Sequence, residues 1–69
     1  MSAARRFEVR VGRHRDRIDS VEVVDLEDGE VALFWDLEAR EATRRAEALR
    51  ADLLRLDEDE FLARWTTVD

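Results

Sequence analysis

Two runs rich in β-branched and aromatic side chains, residues 18–26 and 30–35, flank Glu27-Asp28-Gly29. No other segment limits the fold as strongly. An Asp-Gly pair between such runs is a strong short-range signal for a β-hairpin. Two registers compete. A three-residue loop with Gly29 in the left-handed conformation pairs Val23 with Leu33 and Val21 with Trp35. A two-residue loop at Asp28-Gly29 pairs Val24 with Leu33 and Leu26 with Val31. The first is preferred because it gathers Val21, Val23, Val31, Leu33 and Trp35 on one face, with Val24, Leu26, Ala32 and Phe34 on the other. In either register the period of two leaves apolar side chains on both faces of the ribbon. A sheet of that kind calls for cover on both sides.

Ahead of the hairpin, Phe7-Glu8-Val9-Arg10-Val11 alternates apolar and charged residues, which predicts a half-buried strand with Phe7, Val9 and Val11 inward. Residues 12–17 are polar and read as a loop. After the hairpin, Asp36 is placed to cap a helix, with Glu38 and Glu41 near the positive end of its dipole. No Gly or Pro follows before Leu56. Ala39, Ala42, Ala46, Leu49, Leu53 and Leu56 recur at spacings of three and four, a single apolar stripe. Glu41 and Arg45 add a favourable i, i+4 pair. Asp57 and Glu60 then have capping-box spacing, and Phe61, Leu62 and Trp65 follow on a second, short helix. The expected fold is α+β: a three-stranded antiparallel meander followed by one long and one short helix, β-β-β-α-α. Residues 1–69 form one small domain, with residues 1–5 and 67–69 expected to be disordered tails.

Composition removes whole classes of chemistry. There is no Cys, which excludes disulfides, thiolate metal sites and cysteine nucleophiles. With one His and two Gly, a His-rich metal site and a glycine-rich phosphate loop are both out of reach. Neither cofactor nor small-molecule substrate is expected. The only Ser–His pairing available to a nucleophile is Ser20 with His14, with no glycine nearby for an oxyanion hole. The chain is therefore read as non-enzymatic. No apolar run approaches the ~20 residues of a membrane span, and residues 1–6 lead into no apolar signal region. A cytoplasmic protein is expected. Arg without Lys, in an Ala-rich chain, points to a GC-rich bacterial genome.

Charge is divided unevenly. The net value is −6, yet residues 1–17 carry six Arg against Glu8 and Asp16, while the acids dominate afterwards. Arg10, Arg13, Arg15 and Arg17 are the candidate phosphate contacts, since guanidinium suits bidentate binding of phosphate. The overall negative charge and the scarcity of aromatic residues beside them count against nucleic acid. The clusters Asp25, Glu27, Asp28, Glu30 and Asp57 to Glu60 lack the alternate ligand spacing of a calcium loop and read as turn and cap chemistry. Trp35 is expected in the core.

The leading functional expectation is a small protein-interaction module that self-associates, most simply as a homodimer, or binds another protein. Its candidate contact residues are Val24, Leu26 and Phe34, because one amphipathic helix can shelter only one face of the ribbon, with Leu54, which sits off the helical stripe, and Trp65, beside Arg64 and a polar end. The short helix could instead fold over the second face and complete a monomer. Two other readings are a nucleic-acid accessory protein acting through residues 10–17 and an acidic mimic that occupies a basic protein site.

Overall fold

The computed structural model describes residues 2–14 and 16–68. Three strands, β1 (Phe7–Gly12), β2 (Ile18–Asp25) and β3 (Val31–Glu38), form an antiparallel sheet in the order β1-β2-β3, followed by α1 (Ala39–Arg55) and α2 (Glu58–Trp65). A 3-10 turn at Ala3–Arg5 precedes β1. This is the α+β meander that the periodicities predict.

The preferred hairpin register is present at its base, where Val21 faces Trp35 and Val23 faces Leu33. Nearer the tip the pairing shifts, so that Val24 faces Val31 and Ala32 is the extra residue of a bulge in β3. The connection is consequently longer than either loop anticipated. Asp25 N–H donates to Glu30 C=O and Gly29 N–H to Asp25 C=O, both at 2.8 Å. Asp25 Oδ1 accepts from Glu27 N–H at 3.0 Å, and Asp28 Oδ1 accepts from Glu30 N–H at 2.9 Å. Side-chain turns of this type compete with ladder pairing and lengthen the loop. Gly29 has φ 74°, the left-handed conformation expected of it. The bulge also carries Val31 across the sheet. Placed by the preferred register on the face of Val21, Val23 and Trp35, it lies instead on the Val24 side and is 49% exposed.

A second correction concerns the start of α1. Asp36 is not its cap: it pairs with Ser20 inside β3, and Glu38 takes the N-cap position without a side-chain cap bond. The strand continues because Leu37 extends the inward row of Leu33 and Trp35, and Asp19 to Ile18 remain available for pairing. The helical stripe is otherwise as read, with Ala42, Ala46, Leu49 and Leu53 buried against the sheet; Ala39 is exposed.

Both helices lie on the same side. Phe7, Val9, Val21, Val23 and Trp35 meet Ala42, Ala46, Leu49 and Leu53 of α1 and Phe61 and Trp65 of α2. Phe7 stacks on Phe61 at 5.7 Å, and Trp35 meets Trp65 edge to face at 6.2 Å. The Arg45 guanidinium lies 4.9 Å from the Trp35 ring and 5.9 Å from the Trp65 ring. The short helix begins with the anticipated capping box. Asp57 accepts from Glu60 N–H at 2.9 Å, while the Glu60 carboxylate accepts from Asp57 N–H at 3.1 Å.

Buried Asp52 joins the two helices. It accepts from Trp65 Nε1 at 3.0 Å and pairs with Arg55 and Arg64, each at 2.9 Å. Burial would raise its pKa, but the hydrogen bonds from Arg55 and Trp65 and the charge of Arg64 outweigh burial and hold it below the usual carboxylate range.

The regions read as tails are anchored where the structure describes them. Ala3 is buried and its N–H donates to Leu56 C=O at 2.8 Å. Val68 packs against the core and accepts from Trp35 Nε1 at 3.3 Å. Arg6 then ties the start of β1 to the hairpin tip and to α2, reaching Asp25 at 3.0 Å, Glu27 at 3.2 Å and Glu58 at 3.5 Å. Its hydrogen bond holds the Asp25 carboxyl below its ordinary pKa, assisted by the Glu27 N–H.

Candidate functional site

With α1 and α2 on one face, the strand register determines what the other face presents. Three cross-strand rows follow from the pairing: Gly12–Ser20–Asp36, Arg10–Glu22–Phe34 and Glu8–Val24–Val31. Phe34 is 52% exposed, close to Val31, so a half-exposed ring and a half-exposed valine stand on neighbouring rows of β3. Val24, flanked by strands on both sides, is buried but stands outside the cluster beneath the helices. Exposed Ile18 pairs with Glu38 at the far end of the same face. On β1 the Arg10 guanidinium pairs with Glu8 at 2.9 Å. The result is an apolar patch of Val24, Val31 and Phe34, interrupted on β2 by Glu22 and parted from Ile18 by Ser20 and Asp36, beside a charged pair of opposite signs on β1.

The five contact candidates are only partly brought together. Val24 and Phe34 share the outer face. Leu26 is exposed past the end of β2, beside Arg6, Glu27 and Glu58 at the hairpin tip. Leu54 is 74% exposed on α1, next to a groove lined by Phe7, Val9 and Arg50 along the β1 edge. Trp65 does not belong to the set: its ring is in the core and its N–H is spent on Asp52. Val31 was missed because only the bulge places it here. A bulge depends on the balance of loop and ladder hydrogen bonds, which alternation alone does not report.

The arginines are likewise dispersed. Arg10 lies on the outer sheet face. Arg13 pairs with buried Asp19 at 2.8 Å, and Arg17, with φ 69°, gives its carbonyl to Ala39 N–H at 3.2 Å. Arg15 lies outside the described residues. Arg13, Arg17 and Arg40 line a groove together with Asp16, Asp19 and Glu38. Among the described residues that line it, three arginines are matched by three acids.

His14 Nε2 does approach Ser20 Oγ, at 3.4 Å. Ser20 is buried, however, and among the described residues no carboxylate is hydrogen-bonded to His14 to orient its ring as a nucleophile's base requires. Among the described residues there is no group of three or more His, Asp or Glu side chains able to hold a metal ion. No helix among them is long and apolar enough to cross a membrane.

The β1 edge is partly closed. Arg50 from α1 donates to Val9 C=O at 3.3 Å, occupying an acceptor that another strand would otherwise use. β3 is the other edge of the sheet, and the outer face lies between the two edges. No protein-family model, curated protein or solved structure matches the chain, so the reading of this surface rests on its geometry.

Proposed function

We propose that the protein is a small, non-catalytic protein-interaction module that associates with a second copy of itself through the outer face of its sheet. One observation carries the reading: both helices cover the same side, leaving Phe34 and Val31 half exposed on neighbouring rows of the other. Contiguous apolar surface on a small protein marks an interface more often than scattered single residues do. A second copy is the simplest occupant because a two-fold axis lets one patch serve both partners.

Sedimentation equilibrium tests this. The wild-type mass is expected to rise from 8.1 kDa toward twice that value as concentration increases through the high micromolar range. Phe34→Asp places a charge in the apolar patch and is expected to hold the chain at the monomer mass while leaving its fold intact, since the ring contributes nothing to the core cluster. A wild type that stays at 8.1 kDa throughout contradicts the proposal.

A further inference from the structure

The face is self-complementary about one particular axis. The geometry points to a two-fold dimer whose axis lies across the strands, over the row Val9–Val23–Leu33, so that Arg10 of each copy meets Glu8 of the other. This inference rests on the self-association proposed above and specifies its geometry.

The argument comes from the register. Val9 pairs with Val23, and Val23 with Leu33, so these three mark one level of the sheet. Arg10, Glu22 and Phe34 lie one step to one side of that level; Glu8, Val24 and Val31 lie one step to the other. Sheets that pack face to face keep their strands within about 30° of alignment, so strand columns overlie one another. A two-fold along the central row sets β1 against β1 of the second copy, running in the opposite direction. Arg10 then stands over the second copy's Glu8, and Glu8 over its Arg10. On β3 the same operation sets Phe34 against Val31 and Val31 against Phe34. On β2 it sets Glu22 against Val24, with Arg10 next to Glu22 on the same sheet.

A two-fold running along β2 is poorer. It stacks Glu22 on Glu22 at the axis, two like charges, and lays Glu8 on Val31. Like charges opposed across an interface disfavour that arrangement. The chosen axis instead joins the two Glu8–Arg10 pairs into a ring of alternating charge on β1 and sets Phe34 against Val31 on β3, with Glu22 over Val24 between them.

Area sets the expected strength. Three strands at ~4.8 Å spacing and six residues at ~3.3 Å rise give a flat footprint on the order of 300 Å² per copy. Stable specific complexes bury about 800 Å² per partner. The dimer is accordingly weak and reversible, formed only at high protein concentration.

The test measures the dimer dissociation constant for wild type, Arg10→Glu and the swapped double variant Glu8→Arg/Arg10→Glu. Both side chains are about half exposed, so the variants keep the fold, and circular dichroism confirms that for each. Arg10→Glu makes all four facing groups acidic and is expected to weaken the dimer at least about tenfold. The swap recreates the alternating ring, although its acid at position 10 stands beside Glu22, and is expected to bind at least about threefold tighter than Arg10→Glu. A wild-type dimer unaffected by Arg10→Glu, or a swap no better than that single variant, overturns this axis while leaving self-association standing. A wild type that never dimerises overturns the underlying reading.

Discussion

Asp52 is a buried side chain that joins the two helices. One carboxylate accepts the buried Trp65 N–H and faces Arg55 on its own helix and Arg64 on the next. Because its pKa is lower in the folded chain than in the unfolded one, its contribution is fully present above the ordinary carboxylate value of about 3.9. It is lost as pH falls through the depressed folded value. Asp25, held low by Arg6, behaves in the same direction. The melting temperature is therefore expected to be flat from neutral pH to about pH 5 and to fall below about pH 4. Asp52→Asn is expected to cost on the order of 1–2 kcal/mol at neutral pH, through the weakened bond to Trp65 and the unpaired arginines. The same variant is expected to show a shallower acid decline. A melting curve against pH for both chains checks this, and an unchanged acid slope in Asp52→Asn contradicts the role assigned to the residue.

At the scale of elements, α2 is the shorter of the two α-helices and depends on its cap. Eight residues are too few for a helix to persist on propensity alone. Asp57→Ala removes the side-chain acceptor for Glu60 N–H and is expected to cost about 1 kcal/mol, which corresponds to roughly 4–8 °C in melting temperature for a domain of this size. Tryptophan fluorescence follows the melt, since Trp65 sits at the end of that helix. The cap was legible because Asp57 and Glu60 carry the chemistry at the required spacing. The α1 stripe was legible for the same reason, as its spacings of three and four admit no other periodic element. The start of α1 was not. Asp36 satisfies every local criterion for a cap, but cross-strand pairing with Ser20 and the inward position of Leu37 extend β3 by three residues past Trp35. The bulge at Ala32 was equally hidden, since it follows from Asp25 and Asp28 turning onto the loop backbone. Both misses arise where tertiary pairing outweighs a local signal, and the second decides which residues reach the candidate surface.

The molecule is a one-sided sandwich, with two helices on one face of a three-stranded sheet and none of the described elements over the other. That asymmetry was legible in outline, since apolar residues on both faces of the hairpin exceed what one helix can shelter. Which face α2 would take was not legible, because Phe61, Leu62 and Trp65 suit either. It takes the inner side, where Phe61 meets Phe7 and Trp65 meets Trp35. The charge on the outer face then gives the surface a direction: Glu8 and Arg10 stand at one margin, Phe34 and Val31 at the other. A dilution series followed by amide chemical shifts tests the account most directly, since it reports both association and its location. The account predicts concentration-dependent shifts at Glu8, Arg10, Glu22, Val24, Val31 and Phe34, with the solvent face of α1 around Arg44 and Glu47 unmoved. Outer-face amides that stay fixed through the high micromolar range, or shifts that gather along α1 instead, would contradict it.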